Sequence, residues 1–436
     1  MLAGSGRFAL TRRGLLGGAA CSGAALAGLP LSALRAQDSG SWQNVRRFVE
    51  SYAGARKVAN MQAAFGVGMA PLQMVSAGPD TLGGERAADA DSLYRIYSMT
   101  KPVTGMAAMI LVDEGRLGLD QPLHTILPGF AEMRVQKVYD GPITSDNLEP
   151  AVRPITIRHL LTHTAGLGYS IIQQGPLSAA MTEKQVIPGQ VTRADLPQFM
   201  RGKPAESLEL FADRAAELPL VYQPGTRWSY SIGLDVLGRV IEVVSGQPFD
   251  EFLQERIFDP CGMSSTFFRV PASEQHRLTS NYGVLEGLLL PIDPASNSIY
   301  LDEPAFPFGG AGLVSSARDY DRFLHMLADR GARGERRVMS EQAVLMGTSD
   351  LLPPTMDPED EVRRNYGFGA GGRVGFGPLR QVFGWAGAAG TIGFVDMGSR
   401  RRFGLYTQYM PMQAYPLLDE FPEAVLADLV AQGAAA

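Results

Sequence analysis

The chain has 436 residues, 45% hydrophobic and 19% charged, which is more than one small domain and enough apolar material for a sizeable core. Its 50 Gly follow no period, so a collagen-like or low-complexity chain is excluded. The net charge is −6; residues 1–36 hold four Arg and no acid, so the remainder carries −10, a poor balance for binding nucleic acid.

In chain order, Thr11-Arg12-Arg13-Gly14-Leu15-Leu16 opens a stretch that stays uncharged to Leu34. A basic start, a weakly apolar middle and small residues before a cut make residues 1–36 an export signal, cleaved after Ala36. The paired arginines match a twin-arginine signal, which implies a periplasmic product. The glycines and Pro30 make the stretch a poor spanning helix, so no stable membrane insertion is expected once it is removed. Cys21 lies in this leader, leaving Cys261 as a single thiol without a disulfide.

Residues 42–58 have helical spacing, with Val45, Phe48, Val49 and Tyr52 apolar, and residues 61–79 read as two strands around Ala70-Pro71. Ser92–Tyr97 alternates as a strand end. The pattern turns helical at Ser98, with Val103, Met106, Ala107, Ile110 and Leu111 on one face; Pro102 fits only the first turn of that helix. Ser316-Ala317-Arg318-Asp319 starts a helix to about Leu327. Tyr366–Val374, Leu379–Trp385, Thr391–Met397 and Arg402–Tyr409 are strand-like, and a helix carrying Val425, Leu426, Leu429 and Val430 follows. Residues 42–97 and 300–436 thus form a sheet region. Residues 98–299 form a mainly helical region, and the two together make one domain of about residues 45–430.

Ser98-Met99-Thr100-Lys101 puts a hydroxyl and an amine at i and i+3, one face of a helix. Lys101 can take the proton that keeps Ser98 a weak nucleophile. The helix N-terminus aims backbone N–H groups at an oxyanion formed there. An ordinary N-capping serine has the same spelling, so the tetrapeptide alone decides little.

Ser98–Lys101, Glu114-Gly115-Arg116-Leu117-Gly118-Leu119-Asp120, Ile155–Leu167, Pro224–Ser231, Asp235-Val236-Leu237-Gly238 and Gly309-Gly310-Ala311-Gly312-Leu313 follow in an order that resembles the β-lactamase-related serine hydrolases. That group includes class C β-lactamases, D-amino-acid peptidases and family VIII esterases. The resemblance implies the β-lactamase/penicillin-binding-protein fold, an α/β (α+β) architecture: an antiparallel sheet flanked by helices, with an inserted all-helical lobe. It also implies that Tyr230 is a phenol that handles protons beside Ser98. The family's Tyr-x-Asn has Ile232 at its last position here. Trp385-Ala386-Gly387-Ala388 stands where the family has Lys-Thr-Gly or Trp-Gly-Gly. By that match Trp385 and Gly387 line the substrate edge, and the Ala388 N–H joins that of Ser98 as the oxyanion hole.

These residues imply an exported hydrolase of small-molecule esters, without cofactor or metal, acting through an acyl-enzyme on Ser98. The missing cation and the missing Asn amide argue against a β-lactam substrate. The alternatives are a β-lactamase, a D-amino-acid peptidase or transacylase of the same fold, or a non-catalytic binder. His159 and His163 stand at i, i+4 but lack the zincin Glu, and read as structural. Gly309–Gly312 lacks the Lys of a phosphate loop and is expected to pack beside the sheet. The acidic run Asp357–Glu361 is expected to be a solvated loop. No G-x-S-x-G occurs.

Overall fold

The computed structural model describes residues 42–194, 202–375 and 381–434; the export signal expected at residues 1–36 lies outside them. The chain enters through helix α1 (Gln43–Gly54), strands β1 (Met61–Val67), β2 (Gln73–Ala77) and β3 (Leu93–Arg95), and helix α2 (Thr100–Asp113). Short helices and loops lead to α3 (Ile157–Leu161) and α4 (Gly233–Ser245), followed by the hairpin β4 (Asn281–Leu285) and β5 (Leu288–Asp293). Next come β6 (Val314–Ser316), α5 (Ala317–Ala328) and α6 (Glu341–Gly347). The strands β7 (Gly367–Phe368), β8 (Arg373–Val374), β9 (Val382–Gly387), β10 (Thr391–Asp396), β11 (Arg401–Tyr406) and β12 (Tyr409–Met410) and the helix α7 (Leu417–Ala434) complete it.

Among the described residues the largest sheet has seven strands in the order β7-β8-β9-β10-β11-β1-β2, antiparallel throughout. Both ends of the sequence build it, because β1 pairs with β11, Gln62 opposite Tyr406. Alternate side chains go to opposite faces of a strand. Phe65, Ile392, Phe403 and Leu405 accordingly join one core with Val45 and Val49 of α1 and Phe421, Val425 and Leu429 of α7. Ala64, Val395 and Tyr406 join the larger core with the helical bulk. The two terminal helices are tied together: the Asp428 carboxylate accepts the backbone N–H groups of Asn44 at 2.8 Å and Val45 at 2.9 Å, satisfying donors at the start of α1.

Local expectations are met where a cap or a period is strong. Ser316 caps α5 by accepting the Asp319 N–H, as its spelling suggests. The stretch 98–299 is less uniformly helical than its pattern reads, since it also carries the β4–β5 hairpin and a short pair at Arg134–Gln136 and Leu148–Pro150. Helix α2 differs as well. Its pattern suggests one apolar face, yet every residue from Thr100 to Leu111 is buried. It runs through the middle of the molecule, packed on α4, α6 and β9, so even its polar positions leave water. Gly105 makes this possible on one side, because a Cβ there would run into the backbone carbonyl of Ala370. Among the described residues no helix is long and apolar enough to cross a membrane.

Candidate active site

Ser98 sits in a 3₁₀ turn, Tyr97–Met99, between β3 and α2. The turn is sharp: Tyr97 holds φ at +40°, a left-handed value that costs a non-glycine residue about 1–2 kcal/mol and persists only where packing enforces it. Burial of the Tyr97 ring and a hydrogen bond from Asn281 Nδ2 to its hydroxyl, 3.2 Å, supply that enforcement. Ser98 is left half-buried at the start of α2.

One turn on, the fully buried Lys101 points Nζ at Ser98 Oγ, 3.2 Å away, and donates to the Gly310 carbonyl at 2.6 Å. Tyr230 arrives from the loop before α4, and its hydroxyl donates to Ser98 Oγ at 2.7 Å. Lys101 Nζ also lies 4.6 Å from the centre of the Tyr230 ring, within cation–π range. Two groups able to carry protons therefore converge on one hydroxyl oxygen.

Trp385 lies on β9 and is buried. It has no cation to offer, but its indole N–H reaches the Tyr230 hydroxyl oxygen at 3.3 Å, a donor that the comparison with Lys-Thr-Gly did not anticipate. Gly387 ends β9 against the turn that carries Ser98; a Cβ there would collide with the Ile96 carbonyl and the Thr391 hydroxyl. Ala388 follows, half-buried. Ile232 is 2% exposed and belongs to the main core at the start of α4, so its side chain lies among apolar neighbours and not in an open subsite.

Three further features escape the sequence reading. Helix α3 stops at Leu161, and His163 lies beyond it with φ +56°, so the two histidines do not share a helical face. His159 instead accepts the Thr156 N–H at 3.2 Å in a capping box. His163 packs its ring 4.7 Å from that of Tyr230, and its Nδ1 lies 3.2 Å from the Ser231 backbone N and 3.1 Å from the Ser231 hydroxyl. Burial, reinforced by the charge of Lys101, holds His163 well below the usual imidazole range, so it is neutral. Tyr169 completes the wall, its ring 5.4 Å from that of Tyr230; burial, then the nearness of Tyr230 and Asp235, raises its phenol well above normal.

Two loops are also corrected. Gly309–Gly312 packs against α2 and α4 and not beside the large sheet: Gly309 O accepts the Thr104 hydroxyl at 2.7 Å, and Gly310 O accepts Lys101. The acidic run Asp357–Glu361 is not merely solvated, because Asp360 accepts the Trp228 N–H at 3.2 Å and so anchors the segment carrying Tyr230. Among the described residues no group of His, Cys, Asp or Glu is gathered closely enough to hold a metal ion.

A serine hydroxyl is thus met by a buried lysine and a tyrosine at the head of a central helix, beside strand β9. The chain belongs to the Beta-lactamase family, whose model matches residues 45–426. It is 36% identical over 287 residues to a protein of Mycobacterium tuberculosis, covering 66% of this chain and 65% of that one. It is 31% identical over 318 residues to the esterase EstB of Burkholderia gladioli, covering 69% of each. Among solved structures, EstCE1, a hydrolase with promiscuous acyltransferase activity, superposes with a TM-score of 0.70 at 21% identity, over 89% of this chain and 99% of that one. The β-lactamase fold implied by the motifs is therefore the fold of the chain.

Proposed function

We propose that the protein is a serine hydrolase of neutral carboxylic esters that forms an acyl-enzyme on Ser98. The observation that carries this reading is the convergence of Lys101 Nζ, at 3.2 Å, and the Tyr230 hydroxyl, at 2.7 Å, on Ser98 Oγ. In the first half-reaction the Ser98 O–H proton passes to the Lys101–Tyr230 pair while Oγ bonds to the ester carbonyl carbon. The backbone N–H groups of Ser98 and Ala388 receive the oxyanion. The C–O bond to the alcohol then breaks, and the same pair returns its proton to the departing oxygen. Water repeats the sequence on the acyl-enzyme, releasing the acid and restoring Ser98. The Trp385 N–H steadies the Tyr230 oxygen whenever it carries negative charge.

The neutral-ester reading rests on Trp385, which brings no cation to a β-lactam's carboxylate, and on Ile232, whose place among apolar neighbours leaves no amide there for a β-lactam's side chain. A charged hydrogen bond contributes roughly 1.5–3 kcal/mol and a neutral one about 1, so their joint loss lowers kcat/KM for a β-lactam ~70- to ~1000-fold. The esterase EstB, 31% identical, supports the same direction. Export through residues 1–36 and one functional unit over residues 45–430 complete the reading.

The test is intact-mass detection of an acyl adduct after mixing with p-nitrophenyl butyrate, with Ser98→Ala alongside. The expected result is an adduct and turnover in the wild type and neither in a folded Ser98→Ala protein. Turnover in that variant overturns the reading. A kcat/KM for nitrocefin equal to or above that for the butyrate ester replaces it with a β-lactamase. Tyr230→Phe is expected to cost ~10²- to ~10⁴-fold, as for loss of a positioned proton carrier.

A further inference from the structure

Asp235 is a buried carboxylate that the proposed chemistry does not use. It lies in the first turn of α4 with no exposed surface. Its Oδ1 accepts the Gly310 N–H at 2.8 Å, while its Oδ2 is buried and has no hydrogen-bond partner among the described residues. Gly310 offers its other peptide group, the carbonyl, to Lys101 Nζ at 2.6 Å. One glycine thus separates the carboxylate from the ammonium. A Cβ on Gly310 would lie 2.5 Å from Asp235 Oδ2, so a larger residue there would displace the carboxylate.

A carboxylate needed only to hold a loop would satisfy both oxygens, because a buried acceptor without a partner is costly. Here half of it is left facing the interior next to a buried cation. We propose that Asp235 is a positioning residue that acts through the Gly310 peptide as the counter-charge of the Lys101–Tyr230 pair, setting the pH at which that pair gives up its second proton. This rests on the reading of Ser98, Lys101 and Tyr230 given above.

The groups facing the pair are few. Helix α2 presents Lys101, with Ser98 just before it. The segment after α3 presents His163, held neutral by burial, and Tyr169. The 309–312 loop contributes the peptide contacts described above. Helices 208–216 and 249–253 pack elsewhere on α4, and the ion pair there, Arg239 with Glu209, reaches the surface. Burial pushes the Asp235 carboxyl up to about 7, against the pull of Lys101, the Gly310 N–H and its own backbone N–H. Removing a negative charge disfavours the extra proton on Lys101 and Tyr230, whichever of them holds the one that remains. The acidic limb of activity must then move to lower pH.

The experiment compares single-turnover acylation by p-nitrophenyl acetate across pH in wild type and Asp235→Asn. Asparagine keeps an oxygen for the Gly310 N–H and loses only the charge. The expected result is an acidic limb displaced downwards by about one pH unit, the lower end of what a neighbouring opposite charge produces, with a reduced slope and little loss on the plateau. Superimposable limbs, with the acyl-enzyme still forming, overturn the proposal and leave the serine-hydrolase reading standing. Absence of any acyl-enzyme in the wild type instead overturns that reading. Asp235→Ser repeats the comparison should the asparagine variant not fold. If neither neutral variant folds while Ser98→Ala does, the carboxylate serves the fold and the proposal fails.

Discussion

Two cations, six residues apart in sequence, are both wholly buried, and their surroundings are opposite. Arg95 on β3 pairs with Asp293 at 2.5 Å and also donates to Thr279 O at 2.5 Å, Ser298 Oγ at 2.9 Å and Gln408 Oε1 at 3.3 Å. Asp293 in turn accepts the Ser298 hydroxyl at 2.6 Å and the Ile299 N–H at 2.9 Å. Lys101 has a serine hydroxyl and one carbonyl, and is linked to the Asp235 carboxylate only through the Gly310 peptide. A buried charge whose donors all meet fixed partners rigidifies a fold; a buried charge with a reactive neighbour and spare capacity is poised for proton movement.

Exchanging the roles of these two sites is the sharpest way to break the comparison. Lys101→Ala should lower ester turnover by ~10³-fold or more, and joining it to Ser98→Ala should add almost nothing, because groups acting as one unit are non-additive. Its thermal midpoint should stay close to that of the wild type. Arg95→Met should do the reverse. Leaving Asp293 buried without its partner costs about 3–5 kcal/mol, read as a fall in the urea midpoint, while the protein that remains folded still acylates. A Lys101→Ala protein that unfolds, beside an Arg95→Met protein that does not, would dissolve the distinction. The smallest effect is expected at Trp385→Phe, which keeps the ring and removes the donor to Tyr230. One hydrogen bond of about 1 kcal/mol predicts a loss near ~5- to ~10-fold in kcat/KM. An unchanged rate would make Trp385 a packing residue.

The sequence carried the Ser98–Lys101 pair because i, i+3 on a helix is a local relation. Tyr230 became legible only through the order of motifs, since nothing near it in sequence points to Ser98. His159 and His163 read as structural from the sequence, but their spacing could not show that the early end of α3 at Leu161 separates them. The Trp385 indole N–H and the Asp360 anchor were invisible because their partners, Tyr230 and Trp228, lie more than a hundred residues away. Composition also understated α2, whose burial on all sides is a property of its neighbours.

The pairing of β1 with β11 has a consequence for how the molecule is made. Gln62 finds Tyr406 only when nearly the whole polypeptide has been synthesised, and Asp428 caps α1 only when α7 exists. Until then β1 has only β2 beside it and its other edge is open, in a topology whose non-local pairings fold slowly. A chain still attached to the ribosome, or one truncated before residue 401, would leave that strand open to pairing with other molecules. C-terminal truncations should therefore aggregate, where deletions of similar length in surface loops would be tolerated.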